Sequence, residues 1–179
     1  MIGVSPLLPI SMQIIGVKMN VDEVIDQQLH TIENHLSTMI QSRGRFGSHY
    51  RLTQLFPHHI QARLDGYMQN EFFELEECLK GNLCTAASLM ALRIYDLTLY
   101  DYCHKSSKGK IAPNTIAKCL EYIADKVSEE YYARLDALRR TRNEVMHAEY
   151  QMDPRRTKAV ILDVCDVVMF LNYQLLGAN

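Results

Sequence analysis

From Val21 the apolar residues recur at three- and four-residue intervals: Val21, Val24, Ile25, Leu29, Ile32, Leu36, Met39 and Ile40. This spacing predicts an amphipathic helix to about Ser42. Asn20 offers a side-chain oxygen to cap it, and Asp22 and Glu23 set carboxylates against the positive end of the helix dipole. Residues 43–56, with Gly44 and Gly47, break the pattern and predict a loop or short irregular element. A second helix is expected from Pro57, whose missing N–H is not needed in a first turn. It would run through Ile60, Leu64, Tyr67, Met68, Phe72, Leu75 and Leu79, with Gly81 as its C-terminal stop and Asn82 opening the next helix.

From Leu83 to about Cys103 the apolar density rises through Ala86, Ala87, Met90, Ile94, Leu97 and Tyr100, which predicts the most buried helix of the set. Residues 106–113, with Gly109 and Pro113 among serines and lysines, predict an exposed connection. A shorter helix follows through Ile116, Leu120 and Ile123. Another begins near Ser128, with Glu129 and Glu130 in its first turn, and is expected to reach about Tyr150. Asp153 and Pro154 form an N-cap and first-position pair for a final helix. Its stripe is Val160, Ile161, Val164, Val167, Val168, Leu171 and Leu175, and Gly177 ends it. No alternating strand pattern, internal repeat or low-complexity tract is present. The expected fold is an all-α antiparallel helical bundle over residues 57–179, with an arm and accessory helix over residues 1–56.

Composition narrows this picture. The 179 residues are 47% hydrophobic and 22% charged, as in an ordinary globular domain, and 8 Gly and 5 Pro leave few breaks for long helices. A net charge of -2 provides no global attraction to nucleic acid or to an anionic membrane, so any nucleic-acid contact is expected to be local and transient. Five cysteines without CxxC spacing predict reduced thiols rather than disulfides or zinc. The apolar stretch over residues 1–17 lacks a basic leader, contains Pro6 and Pro9, and is short for a membrane span of ~20 residues. It is expected to be an irregular arm or short strand. The expected setting is soluble and cytoplasmic, without membrane contact.

One segment asks for a chemical explanation. Residues 138–147 read Leu-Arg-Arg-Thr-Arg-Asn-Glu-Val-Met-His, and Arg139, Arg140, Arg142 and His147 all suit the handling of a phosphate. An imidazole titrates close to neutral pH, so it can serve as acid or base. A guanidinium is permanently charged, and its planar fork fits a phosphate and the charge that develops on it. Asn143 lies four residues before His147, where its amide can orient the imidazole or hold a phosphate oxygen. Five helical residues turn about 140° beyond one revolution, so Arg142 and His147 do not share a face. Arg142 aligns instead with Leu135, Leu138 and Val145. Either the long Arg reaches around the helix, or a second subunit completes the site.

Arg142-Asn143-x-x-x-His147, late in a helical domain and followed by one closing helix, resembles the signature of the HEPN superfamily. The run over residues 77–82, followed by a helix over 86–99 carrying Arg93 and Asp96, is similar to the Arg-x-x-acid helix of one branch of those domains. The resemblance spans about residues 70–176. Arg43 with His49, Arg51 with His58 and Arg140 with His147 have similar spacing, but only Arg142 has the adjacent Asn and the position before a last helix. The resemblance implies a metal-independent endoribonuclease, without cofactor, acting as a homodimer on RNA bound transiently. Arg142, Asn143 and His147 would be catalytic, and Asp96, Arg93 and Arg139 supporting. It also implies a toxin or defence effector, with a cognate antitoxin or regulatory protein as partner. The alternative is a non-catalytic helical dimer of the same type that binds a nucleotide, RNA or a protein.

Plainer accounts stand beside these. Arg142 is equally suited to an ion pair with Asp96, and Arg93 with Asp96 to an internal pair. Arg139 and Arg140 fit a solvated face. His30, His35, His58 and His59 lack a second pair of ligands at metal spacing and are expected at the surface. Tyr95, Tyr100, Tyr102, Tyr131 and Tyr132 are expected in the core and its rim.

Overall fold

The computed structural model describes residues 11–14, 17–41, 51–64, 66–147 and 151–177, with side chains from Asn20 onward. Part of the expected N-terminal arm lies outside these residues. The described part is an antiparallel ribbon, β1 (Ser11–Ile14) and β2 (Val17–Asn20), with Ser11 opposite Asn20 and Ile14 opposite Val17. The rest is the expected all-α bundle. Helix α1 (Val21–Gln41) starts where Asn20 Oδ1 accepts the Asp22 N–H at 3.2 Å. Its buried side chains, Ile25, Ile32, Leu36 and Met39, join the same apolar cluster as those of the later helices.

The helix expected from Pro57 to Leu79 is broken. A 3-10 turn (Leu52–Leu55) leads to a single helical turn, α2 (His58–Gln61), which Pro57 precedes rather than begins. Helix α3 (Gly66–Lys80) then starts afresh. Gln61 Nε2 donates to the Phe56 carbonyl at 2.6 Å, and Gln69 Nε2 to the Leu64 carbonyl at 3.0 Å. The Gln69 amide thus takes a carbonyl that a continuous helix would have bonded through its backbone. Ile60, Leu64 and Met68 are buried on both sides of the break, so apolar spacing alone did not reveal it.

The stop after α3 lies one residue later than expected. Asn82, not Gly81, adopts the left-handed conformation (φ 56°). Its N–H bonds Leu79 O at 3.0 Å and the Leu83 N–H bonds Cys78 O at 2.9 Å, the paired closure of a helix C-terminus. Helix α4 (Cys84–Ser106) ends in the same way, with Lys108 at φ 53° and the Gly109 N–H on His104 O at 2.8 Å. Lysine is disfavoured there by its Cβ. Lys108→Gly is expected to raise stability by about 0.5–1 kcal/mol in denaturant unfolding.

Helices α5 (Ile116–Ile123), α6 (Glu129–Met146) and α7 (Pro154–Gly177) complete the bundle. Asp153 Oδ1 caps α7 by accepting the Arg156 N–H at 2.9 Å. Helices α4 and α7 form the central pair, with α3 and α1 against them. The most buried helix is α7, not α4: thirteen of its residues are buried against ten of α4, because one side of α4 carries exposed Arg93 and the half-buried Asp96, Leu97 and Tyr100. Helix α7 is long and apolar enough to cross a bilayer, and 67% of its apolar window is buried inside the bundle. Ser88 Oγ donates to Thr157 Oγ1 at 3.1 Å, and Thr157 Oγ1 to Cys84 O at 3.2 Å, tying the starts of α4 and α7 together. All five cysteines are free and helical.

Arg134 on α6 pairs with Asp166 on α7 at 2.8 Å. Burial pushes the Asp166 carboxyl up to about 6, against the pull of Arg134 and with help from Asp163, Asp26 and Asp22. A carboxyl raised by folding binds its proton more tightly in the native state. Its stabilising contribution is therefore complete below the unfolded value near 4 and disappears as pH rises through 6. Relative to Asp166→Asn, the wild-type protein is expected to gain on the order of 2–3 kcal/mol between pH 7 and pH 4, measured by denaturant unfolding.

Candidate functional site

Helix α6 carries the arginines of the 138–147 segment and sets Arg142 against Asp96 of α4. Ser128 starts the helix by accepting the Tyr131 N–H at 3.2 Å. Leu135, Leu138 and Val145 are buried, which fixes the rotation of the helix. Tyr95 of α4, fully buried, donates its hydroxyl to the Leu135 carbonyl at 2.8 Å and ties the two helices together.

Arg142 lies at the edge of this packed side, as the helical phase predicts. Its Nε donates to Asp96 Oδ2 at 2.7 Å, with side-chain exposures of 35% for Arg142 and 16% for Asp96. Its Nη1 donates to Asn143 Oδ1 at 3.5 Å. Nη2 has no partner among the described residues. Burial raises the Asp96 carboxyl above its ordinary range, and Arg142 offsets part of that rise. Asp96 Oδ1 is buried without a hydrogen-bond partner among the described residues.

The expected Arg93–Asp96 pair does not form. Arg93 instead reaches α3, where its Nε meets Glu71 at 2.9 Å and its guanidinium donates to the Tyr67 hydroxyl. Arg93 and Asp96 lie one turn apart on α4, but Glu71 and Tyr67 of α3 hold Arg93 while Arg142 of α6 holds Asp96. Arg93 is therefore not part of the Arg142 site.

Arg139 and Arg140 converge on Asp136, at 2.7 Å and 2.5 Å. These bonds hold the Asp136 carboxyl below its usual range, Arg139 contributing most. Asp136 was not among the expected site residues, although its spacing of three and four from two arginines on one helix is a legible ion-pair signal. Arg139, Arg140 and Arg142 thus meet Asp136 and Asp96, with exposed Glu144 one turn beyond Arg140.

The motif helix stops short of the expected Tyr150. It ends at Met146, and His147 is its C-cap, with the His147 N–H on Asn143 O at 3.2 Å. Residues 148–150 lie outside the described residues. His147 is exposed, and nothing among the described residues pairs with its imidazole. Asn143 is therefore engaged with Arg142 through its side chain and with His147 only through its backbone. His59, expected at the surface, packs edge-on to Tyr173 with ring centroids 5.0 Å apart.

Among the described residues, no three His, Cys, Asp or Glu side chains form a metal-sized group. No protein-family model, curated protein or solved structure matches the chain.

Proposed function

We propose that this protein is a HEPN-type, metal-independent endoribonuclease that acts as a homodimer in the cytoplasm. The observation that carries the reading is the arrangement of one short segment. Arg142 is held by Asp96 with an edge of its fork open, Arg139 stands one turn before it, and an imidazole with no partner among the described residues is exposed where the helix ends. In the proposed reaction His147 removes the proton of a ribose 2′-OH, and the 2′-oxygen attacks the adjacent phosphorus. The bond to the 5′-oxygen breaks, that oxygen takes a proton from water as it leaves, and the His147 imidazolium returns its proton to solvent. The products are a 2′,3′-cyclic phosphate and a 5′-hydroxyl. Arg142 stabilises the extra negative charge on the phosphoryl oxygens, and Arg139 steers the backbone.

Arg142 is committed to Asp96 of its own chain, which argues against its reaching around the helix to His147. The complete site therefore pairs Arg142 of one protomer with His147 of its partner. Mixing inactive Arg142→Ala with inactive His147→Ala tests this. Half of the dimers are then mixed and each holds one intact site, so about a quarter of wild-type activity is expected to return. No recovery from subunits shown to exchange refutes the shared site.

A second reading keeps the helical dimer and drops the chemistry. Arg142 then serves only its ion pair with Asp96, and the chain binds a nucleotide, RNA or a protein partner. Ligand binding without RNA turnover by the purified protein decides for it.

A further inference from the structure

A half-open cavity of about 410 Å³ lies at the other end of α6 from His147, bordered by the starts of α1 and α6 and the end of α7. Its size suits a small organic ligand rather than a single ion. Four carboxylates line it, those of Asp22, Asp26, Glu130 and Asp166, against two cations, Lys126 and Arg134. Lys126 is committed elsewhere, to Asp125 at 2.7 Å and to the Tyr122 carbonyl at 2.6 Å. Arg134 alone answers the acids, divided between Asp166 at 2.8 Å and Asp163 at 3.9 Å.

The two helix N-termini at the cavity do not reverse this balance, because each is already capped, α1 by Asn20 and α6 by Ser128. Tyr131 and Phe170 form a stacked aromatic wall with ring centroids 3.8 Å apart, and Tyr173 adds a third ring. Arg134 lies over the Tyr131 ring at 5.5 Å, a cation on an aromatic face already built into this wall. Tyr131 is 8% exposed, and its hydroxyl is buried with no hydrogen-bond partner among the described residues. Such a group normally has one.

We infer that this cavity binds a small organic cation, an alkyl chain ending in ammonium groups, whose charge sits among Asp166, Asp26 and the Tyr131 hydroxyl while its chain lies along the aromatic wall. The cation donates to oxygens that already exceed the local donors, and a mainly apolar body fills the remaining volume.

Calorimetric titration of the full chain with 1,6-diaminohexane tests the inference, with uncharged 1,6-hexanediol as control. Saturable one-to-one binding of the diamine and none of the diol is expected, with amide shifts in labelled protein confined to residues 20–26, 126–134 and 166–174. Asp166→Asn is expected to weaken binding by about tenfold or more, and Tyr131→Phe by about threefold. Tyr131→Phe removes only an unpartnered hydroxyl, and exposed Asp26→Asn breaks no ion pair, so both variants keep the fold while losing affinity. Absence of saturable binding, equal binding of the diol, or unchanged affinity in both folded variants overturns the inference.

Discussion

His147→Ala is expected to lower the rate of RNA cleavage by about 10²–10⁴-fold, the range that a positioned acid or base contributes. The exposed imidazole has no partner among the described residues, so its removal leaves no cavity and no orphaned group. Thermal unfolding should therefore match the wild type within about 0.5 kcal/mol. Arg142→Ala is expected to lower cleavage by about 10²–10³-fold, the effect of losing one donor to a developing oxyanion. Its structural consequence differs, because it strips the half-buried Asp96 of its cation. Arg142→Lys keeps the charge but loses the fork that meets Asp96 through Nε and leaves Nη2 free, and should recover little activity. Initial rates on a fluorogenic RNA in EDTA, with circular dichroism on each variant, measure these effects. Folded variants with wild-type rates contradict the assigned roles.

Tyr95→Ala is expected to cost about 3–5 kcal/mol, the range for truncating a fully buried aromatic side chain. Tyr95 is 0% exposed and spans the α4–α6 contact, where its hydroxyl holds the Leu135 carbonyl at 2.8 Å. Tyr95→Phe removes only that hydrogen bond and should cost about 1 kcal/mol. Comparing the two in denaturant separates packing from hydrogen bonding. Because this contact sets how α6 presents Asp136, Arg139 and Arg142, Tyr95→Phe should also reduce RNA cleavage more than its stability loss explains. An alanine variant as stable as the wild type would remove Tyr95 from this role.

Much of the bundle was legible because helix phase is written in apolar spacing. The stripe from Val160 to Leu175 and the caps at Asn20 and Asp153 fall where periodicity and cap chemistry place them. The breaks were less legible. At the gap between α2 and α3 the Gln69 side chain takes the Leu64 carbonyl, a contact that leaves no trace in the hydrophobic pattern. Asn82 took the left-handed position expected of Gly81 because asparagine tolerates that conformation. At the candidate site, the Arg142–Asp96 pair was readable from chemistry and phase, whereas Glu71 and Tyr67 drew Arg93 away through a tertiary contact with α3. The Arg134–Asp166 pair and the cavity beside it join α6 to α7 across tertiary distance, and no local spacing signals them.

The central claim concerns the chemistry of an exposed imidazole and a tethered guanidinium, and the ends of the cut RNA test it most directly. Wild-type protein in EDTA should leave 2′,3′-cyclic phosphate and 5′-hydroxyl ends, and should fail at a scissile nucleotide carrying a 2′-deoxyribose. Cleavage that persists at the 2′-deoxy position, or intact RNA after prolonged incubation with folded dimer, contradicts it.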